Sequence, residues 1–188
     1  MEKFRERATN MAELKRIEGS DIAQAVKRLV GEIATANREN EKLVVVGIAD
    51  GGIDFAERIG AELSRALGRE LPVGTVDIVF QRDDIGRNPI PKSSNPTELP
   101  FDITDTHVLL CDDVLCTGRT VRAALNELFD QGRPASVQLV VLFDRGNRRL
   151  PFQADFCGLR QSTRPEQTVA VLLDNKKIEN DAILISEP

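Results

Sequence analysis

Apolar residues along this chain fall into two alternating rhythms: short unbroken runs, and stripes spaced three and four residues apart. The first stripe, Ile22, Ala25, Val26, Leu29, Val30 and Ile33, has the period of an α-helix, with Ser20 placed as its N-cap. The unbroken run Leu43–Ile48 reads as a buried strand and is followed by a turn at 49–52. Ala56, Ile59, Leu63 and Leu67 line a second helix that Gly68 closes, and residues 73–80 read as another strand. From 81 to 106 the rhythm stops, in a stretch with four prolines and a Ser-Ser-Asn cluster. An aperiodic excursion of this length inside a compact domain is usually a functional loop, so a mobile lid is expected here. Val108, Leu109 and Leu110 then open a strand, and Val121, Ala124, Leu125, Leu128 and Phe129 share one face of a third helix. Gly132 and Pro134 stop that helix ahead of a strand at 137–143. Shorter strand-like pieces follow at 154–157, Thr168–Leu172 and 182–185.

Strands that alternate with helices predict an α/β fold: a mostly parallel sheet flanked by helices, ending in a small region of short strands at 150–188. The 188 residues, 41% of them hydrophobic, suffice for one domain with one core, with residues 1–18 expected to be frayed. The first ten residues are charged and lack an apolar h-region. No stretch reaches the roughly 18–20 apolar residues of a membrane span, so a cytoplasmic protein is expected. Three cysteines, one within an expected buried strand, argue against a disulfide scaffold. His107, Cys111, Cys116 and Cys157 fit no usual zinc spacing, and a metal site built from them is rejected.

The chemistry concentrates at 107–120, HVLLCDDVLCTGRT. An apolar strand ends at Asp112 and Asp113; Val114, Leu115 and Cys116 lead to Thr117-Gly118-Arg119-Thr120, which opens a helix. The first-turn N–H groups of a helix have no intrahelical partners, and its dipole favours an anion there. Glycine admits close approach of a phosphate, and threonine hydroxyls can donate to it. The two carboxylates can accept from vicinal hydroxyls or hold a hydrated magnesium ion. A phosphate beside a diol is a ribose phosphate. Each half alone is weak, since Thr-Gly-Arg-Thr also suits an ordinary turn; the ordered combination is the specific signal. No Gly-Lys-Ser/Thr occurs, which excludes a nucleotide-triphosphate loop of that kind.

This element resembles the phosphoribosyl-pyrophosphate (PRPP) signature of the type I phosphoribosyltransferases. Further motifs occur in the order of one branch of them. They are Arg82-Asp83-Asp84, Phe101-Asp102-Ile103-Thr104-Asp105, Asp112-Asp113-Val114-Leu115, Thr117 to Ala123, Gly132-Arg133-Pro134, Ser136 to Leu139, Asp144-Arg145-Gly146 and Leu150-Pro151. Together they resemble the bifunctional pyrimidine-operon attenuator and uracil phosphoribosyltransferase proteins, over roughly residues 20 to 187. The resemblance implies a type I phosphoribosyltransferase fold with a small C-terminal hood, a catalytic loop after Phe80 and a homodimer or higher homo-oligomer. It implies transfer of ribose 5-phosphate from PRPP to uracil, giving UMP and pyrophosphate, with Mg2+ held indirectly by Asp112 and Asp113. By the same resemblance, Asp112 and Asp113 meet the ribose hydroxyls, Val114 to Thr120 form the PRPP-binding run with Thr117 to Thr120 as its 5′-phosphate cradle, and Arg82 and Asp83 close over pyrophosphate. For Arg82 and Asp83 the alternative is a solvated loop pair. The turn Ala49-Asp50-Gly51-Gly52 stands at the family's pyrophosphate loop. Base recognition is expected around Asp144, Arg145 and Phe156, where Arg145 serves equally well as a structural residue at a strand end.

Three departures shape the functional expectation. Asp50-Gly51-Gly52 replaces the family's Thr-Arg-Gly, Cys116 replaces a Tyr, and Asn147 replaces a His. Losing a cation where a polyanion leaves, and gaining an acid, predicts weak transfer. The family's other role, binding leader mRNA, needs a basic face. The chain carries 25 basic against 30 acidic residues and has a pI near 5.1. Lys27, Arg28, Arg133, Arg148, Arg149 and Arg160 are the candidates for a local patch, without Trp or Tyr for base stacking. Three functions stay open: an active transferase, an RNA-binding attenuator that senses UMP, and a diverged protein that only binds nucleotide.

Overall fold

The structure is a computed structural model that describes residues 12–81 and 96–187. A parallel five-stranded sheet forms the centre, from β2 (Leu43–Ile48), β3 (Val73–Val76), β4 (His107–Leu115), β5 (Ser136–Asp144) and β6 (Phe156–Arg160), in the order β3-β2-β4-β5-β6. Helices α1 (Gly19–Ala36) and α2 (Gly52–Leu67) contribute to the core cluster that also contains Leu29, Phe55, Leu109 and Leu142. Helix α3 (Arg119–Gln131) packs Ala124 and Leu128 with Val46, Val108 and Leu110 in a second cluster. Covering both faces explains why β2 is buried at all six positions, and why such strands are continuous apolar runs.

The hood is a three-stranded antiparallel sheet, β1 (Ala12–Glu18), β8 (Ala182–Glu187) and β7 (Thr168–Leu172), with β8 in the middle. Two boundaries therefore differ from the sequence reading. Residues 12–18 are an ordered strand paired with β8, and only 1–11 of the expected frayed segment lie outside the described residues. Residues 156–160, read as part of the hood, pair with β5 and belong to the central sheet. The hood is tied to α2 by a buried ion pair between Arg58 and Asp181, whose side chains are 8% and 0% exposed.

Local details differ as well. Helix α1 begins at Gly19 with Glu18 at the cap position, so Ser20 lies inside the first turn. Strand β3 ends at Val76. The Asp77 side chain accepts the Val79 N–H at 2.8 Å and starts a 3-10 turn, Val79–Gln81, where a longer strand was expected. Part of the expected lid is built into the domain: Thr75 and Glu98 exchange backbone hydrogen bonds of 2.8 and 2.9 Å, and Ile103 is buried. The remainder, 82–95, lies outside the described residues.

Candidate ribose phosphate site

The acidic pair, the 114–120 loop and the turn before α2 converge at the carboxyl end of the central strands. Open α/β sheets place ligands at this end, outside the strand termini. Asp112 is buried, and its Oδ1 accepts the Asp113 N–H at 3.1 Å while its Oδ2 has no hydrogen-bond partner. An orphaned buried carboxylate oxygen is costly to leave unpaired, which suits an atom waiting for a ligand hydroxyl or a hydrated cation. Burial, and secondarily the Asp113 charge, push the Asp112 carboxyl well above the usual carboxylate range. Burial also raises the half-buried Asp113. Among the described residues no three His, Cys, Asp or Glu side chains group as a metal cage. A magnesium ion that keeps most of its waters needs only one or two carboxylates and a ligand phosphate, so the pair fits it.

The turn Ala49 to Gly52 packs directly on this pair. Ala49 donates its N–H to the Val76 carbonyl at 3.0 Å, and the Ala49–Asp50 peptide is cis. A methyl group on Gly51 would stand 2.5 Å from Cγ and 2.7 Å from Oδ1 of Asp113. Asp50 is exposed at the same turn.

After Asp113, residues Val114 and Leu115 finish β4, and Cys116 and Thr117 form the loop into α3. Gly118 occupies the helix N-cap with φ 87°, a left-handed conformation that favours glycine, and a Cβ there would meet Phe152 Cδ2 at 3.0 Å. The Thr117 hydroxyl accepts the Arg119 N–H at 3.3 Å, and Arg119 and Thr120 open the first helical turn. This is the strand–loop–helix arrangement read from the sequence.

Asp144 ends β5 and is half-buried beside this loop. Arg145 is 9% exposed and its guanidinium is spent on structure: Nε donates to Thr163 Oγ1 at 2.8 Å, and Nη2 to the Arg164 and Gln167 carbonyls at 3.0 and 2.6 Å. Of the two roles open for Arg145, the geometry selects the structural one, fastening the 163–167 loop. Phe156 is misplaced in the sequence reading. It opens β6 opposite Val140, whereas the site end of that strand is Arg160, opposite Asp144. Four residues at a rise of about 3.3 Å put Phe156 roughly 13 Å from that end, and it packs against the core instead. Arg82 and Asp83 lie outside the described residues.

The candidates for a basic patch are spread over several elements. Arg133 lies near the start of β4 and β5, where its carbonyl accepts the Asp105 N–H. Arg148 turns inward, and only Arg28 and Arg160 share a cleft of about 510 Å³, with Lys15 and Arg16. None of the expected site residues lines that cleft, and Asp21 does.

Arg148, in sequence only a candidate surface cation, turns its guanidinium onto the 114–120 loop. Nothing in its spacing marks it. Two consecutive left-handed residues, Gly146 (φ 77°) and Asn147 (φ 59°), turn the chain and bring it back on the 114–120 loop.

A parallel α/β core, an acidic pair at a strand end, a Gly/Thr loop opening a helix and a small antiparallel sheet define a phosphoribosyltransferase-type protein. Residues 14–175 match the phosphoribosyl transferase domain family. The "Bifunctional protein PyrR" of Geobacter sp. (strain M21) is 44% identical over 168 residues, covering 89% of this chain and 95% of that relative. The protein of the same name from Caldicellulosiruptor bescii is 39% identical over 184 residues, covering 98% and 96%. The chain belongs to the phosphoribosyl transferase domain family and, within it, to the family of these bifunctional PyrR proteins. Solved structures agree on the fold. The hypoxanthine phosphoribosyltransferase of Trypanosoma cruzi superposes with a TM-score of 0.67 at 19% identity, covering 94% of this chain and 97% of that one. A hypoxanthine-guanine phosphoribosyltransferase from Bacillus anthracis gives 0.63 at 18%, covering 94% and 99%. No helix among the described residues is long and apolar enough to cross a membrane.

Proposed function

We propose that this protein is a pyrimidine-operon regulator that binds UMP in the ribose phosphate site and acts on leader mRNA, with uracil phosphoribosyl transfer as a weak second activity. The carrying observation is the unpartnered, buried Oδ2 of Asp112 beside Asp113 and the 114–120 loop. A ribose diol would satisfy that oxygen while the first turn of α3 meets the 5′-phosphate. In transfer, the bond from ribose C1 to pyrophosphate oxygen breaks, a bond from uracil nitrogen to C1 forms, and the nitrogen gives up its proton. Positive charge spreads over the ribose ring, so the two carboxylates stabilise it and the site's main work is positioning. Asp112 and Asp113 would hold magnesium through its waters; the ion would neutralise the phosphates it meets.

The turn at 49–52 contributes backbone and the Asp50 carboxylate but no cation, which weakens transfer more directly than it weakens UMP binding. UMP brings no pyrophosphate to that turn. Wild-type protein should therefore gain thermal stability from UMP by mass action. Asp113→Asn combined with Thr117→Ala should abolish the gain, and an unchanged shift in that double variant would move the site elsewhere.

The net charge of −5 favours a second reading, nucleotide binding without RNA. A gel shift with the protein's own pyrimidine-operon leader, with UMP and at low salt, separates the two. Binding that weakens steeply with salt supports regulation. Absence of binding leaves the nucleotide-binding protein.

A further inference from the structure

We infer that Arg148 is a positioning residue that presets the phosphate loop and locks it to the end of β5, so that the grip on a 5′-phosphate depends on a side chain behind the loop. The inference rests on the reading of 114–120 as a phosphate cradle.

The Arg148 side chain is 25% exposed and reaches into the gap between the phosphate loop and the turn after β5. Its Nη1 serves the carbonyls of Leu115, Cys116 and Gly146 at 3.3, 2.7 and 3.0 Å. Nε donates to the Phe152 carbonyl at 2.9 Å, and Nη2 pairs with Asp144 Oδ2 at 2.7 Å. Guanidinium offers five N–H donors in a rigid plane, and here its three nitrogens serve four carbonyls and one carboxylate, with Nη1 shared among three of the carbonyls.

The next residues extend the same support. The N–H groups of Arg149 and Leu150 both donate to the Thr117 carbonyl at 3.0 Å, and the Arg145 N–H donates to the Leu115 carbonyl at 3.1 Å. Three consecutive loop carbonyls, those of Leu115, Cys116 and Thr117, are thus held from residues 145–150. Because each peptide is planar, fixing a carbonyl fixes the N–H on its other side, here those of Cys116, Thr117 and Gly118. These are the N–H groups that lead into the first turn of α3. Their direction is set before any ligand arrives, so binding need not bear the entropy of ordering the loop.

The pairing with Asp144 also has an electrostatic side. A cation held near a phosphate helps it, but Asp144 cancels most of the Arg148 charge at 2.7 Å. The side chain therefore acts through geometry.

The test compares wild type with Arg148→Gln and Arg148→Lys, using UMP and ribose 5-phosphate as titrants and amide hydrogen exchange as a second readout. Arg148→Gln should weaken both ligands by about ten- to a hundredfold, the range seen when supporting contacts around a binding shell are lost. Exchange at the amides of residues 116–118 should accelerate while β2 and β4 stay protected. Arg148→Lys, which keeps the pair with Asp144 but cannot serve four carbonyls at once, should fall in between. Unchanged affinity and loop exchange in Arg148→Gln would overturn the inference, as would exchange rising evenly through the sheet, the mark of a general structural role. Wild type that binds neither titrant would overturn the cradle reading and this inference together; wild type that binds, with Arg148→Gln equal to it, would overturn this inference alone.

Discussion

Gly51 and Asp113 are mutually fitted: the space a side chain would take at Gly51 is filled by the Asp113 carboxylate, with Cγ 2.5 Å from the position of a Cβ. The glycine is in ordinary helical backbone, φ −68° and ψ −34°, so the fit is one of volume and not of conformation. Gly51→Ala should therefore displace Asp113 and weaken UMP by about tenfold, the scale of a lost charge-assisted hydrogen bond. Calorimetric titration checks it, and UMP affinity equal to wild type would show that Asp113 can move without consequence.

That relationship alters what an engineered cation can achieve. The sequence alone suggests that Asp50→Thr with Gly51→Arg raises transfer and leaves UMP affinity nearly unchanged. With Asp113 in the way, the double variant should lose UMP affinity, because the new side chain forces the carboxylate aside, and the displaced charge should offset the gain in turnover. Wild-type turnover should be weak, since one missing electrostatic donor costs on the order of a hundredfold. Steady-state assay with PRPP, magnesium and uracil measures this; turnover on the order of 1–1,000 per second in wild type would refute it.

Asp112 should make the unliganded protein less stable at neutral pH. Its folded carboxyl titrates well above the unfolded one, because burial and then Asp113 oppose its charge. A folded state that holds the proton more tightly loses stability as pH rises from the unfolded value through the raised one. Asp112→Asn removes that penalty, so its melting temperature should exceed wild type by a margin that grows as pH rises from the unfolded value, levels off above the raised one and vanishes as pH falls to the unfolded value. UMP affinity should drop in the same variant. A melting temperature for Asp112→Asn at or below wild type at pH 8 contradicts the account.

Asp181 holds the hood to α2. It is 0% exposed, pairs with Arg58, and accepts the Asp174 N–H at 2.8 Å. Asp181→Ala leaves a guanidinium buried without its partner, which costs about 3–5 kcal/mol. Urea unfolding should show this as a lower midpoint with an unchanged slope. A loss under about 1 kcal/mol would mean that water replaces the carboxylate freely.

The sequence by itself determined the elements that bury continuous or periodic apolar faces. Leu43–Ile48, the α1 stripe from Ile22 to Ile33 and the Asp112 to Thr120 element all lie where their patterns put them. Those features are local: burial on one or both faces sets the period, and a phosphate loop is a short run of chain. What required the third dimension was every relation between distant segments. Residues 12–18 carry little apolar signal, and their strand exists because β8 offers an edge to pair with. Phe156 looked like a base contact by its neighbours in sequence, but strand register places it at the far end of β6. Arg145 and Arg148 are three residues apart and alike in sequence, yet one fastens the 163–167 loop and the other the 114–120 loop. Which carbonyls a guanidinium meets depends on how loops from separate strands close over it, and no periodicity records that.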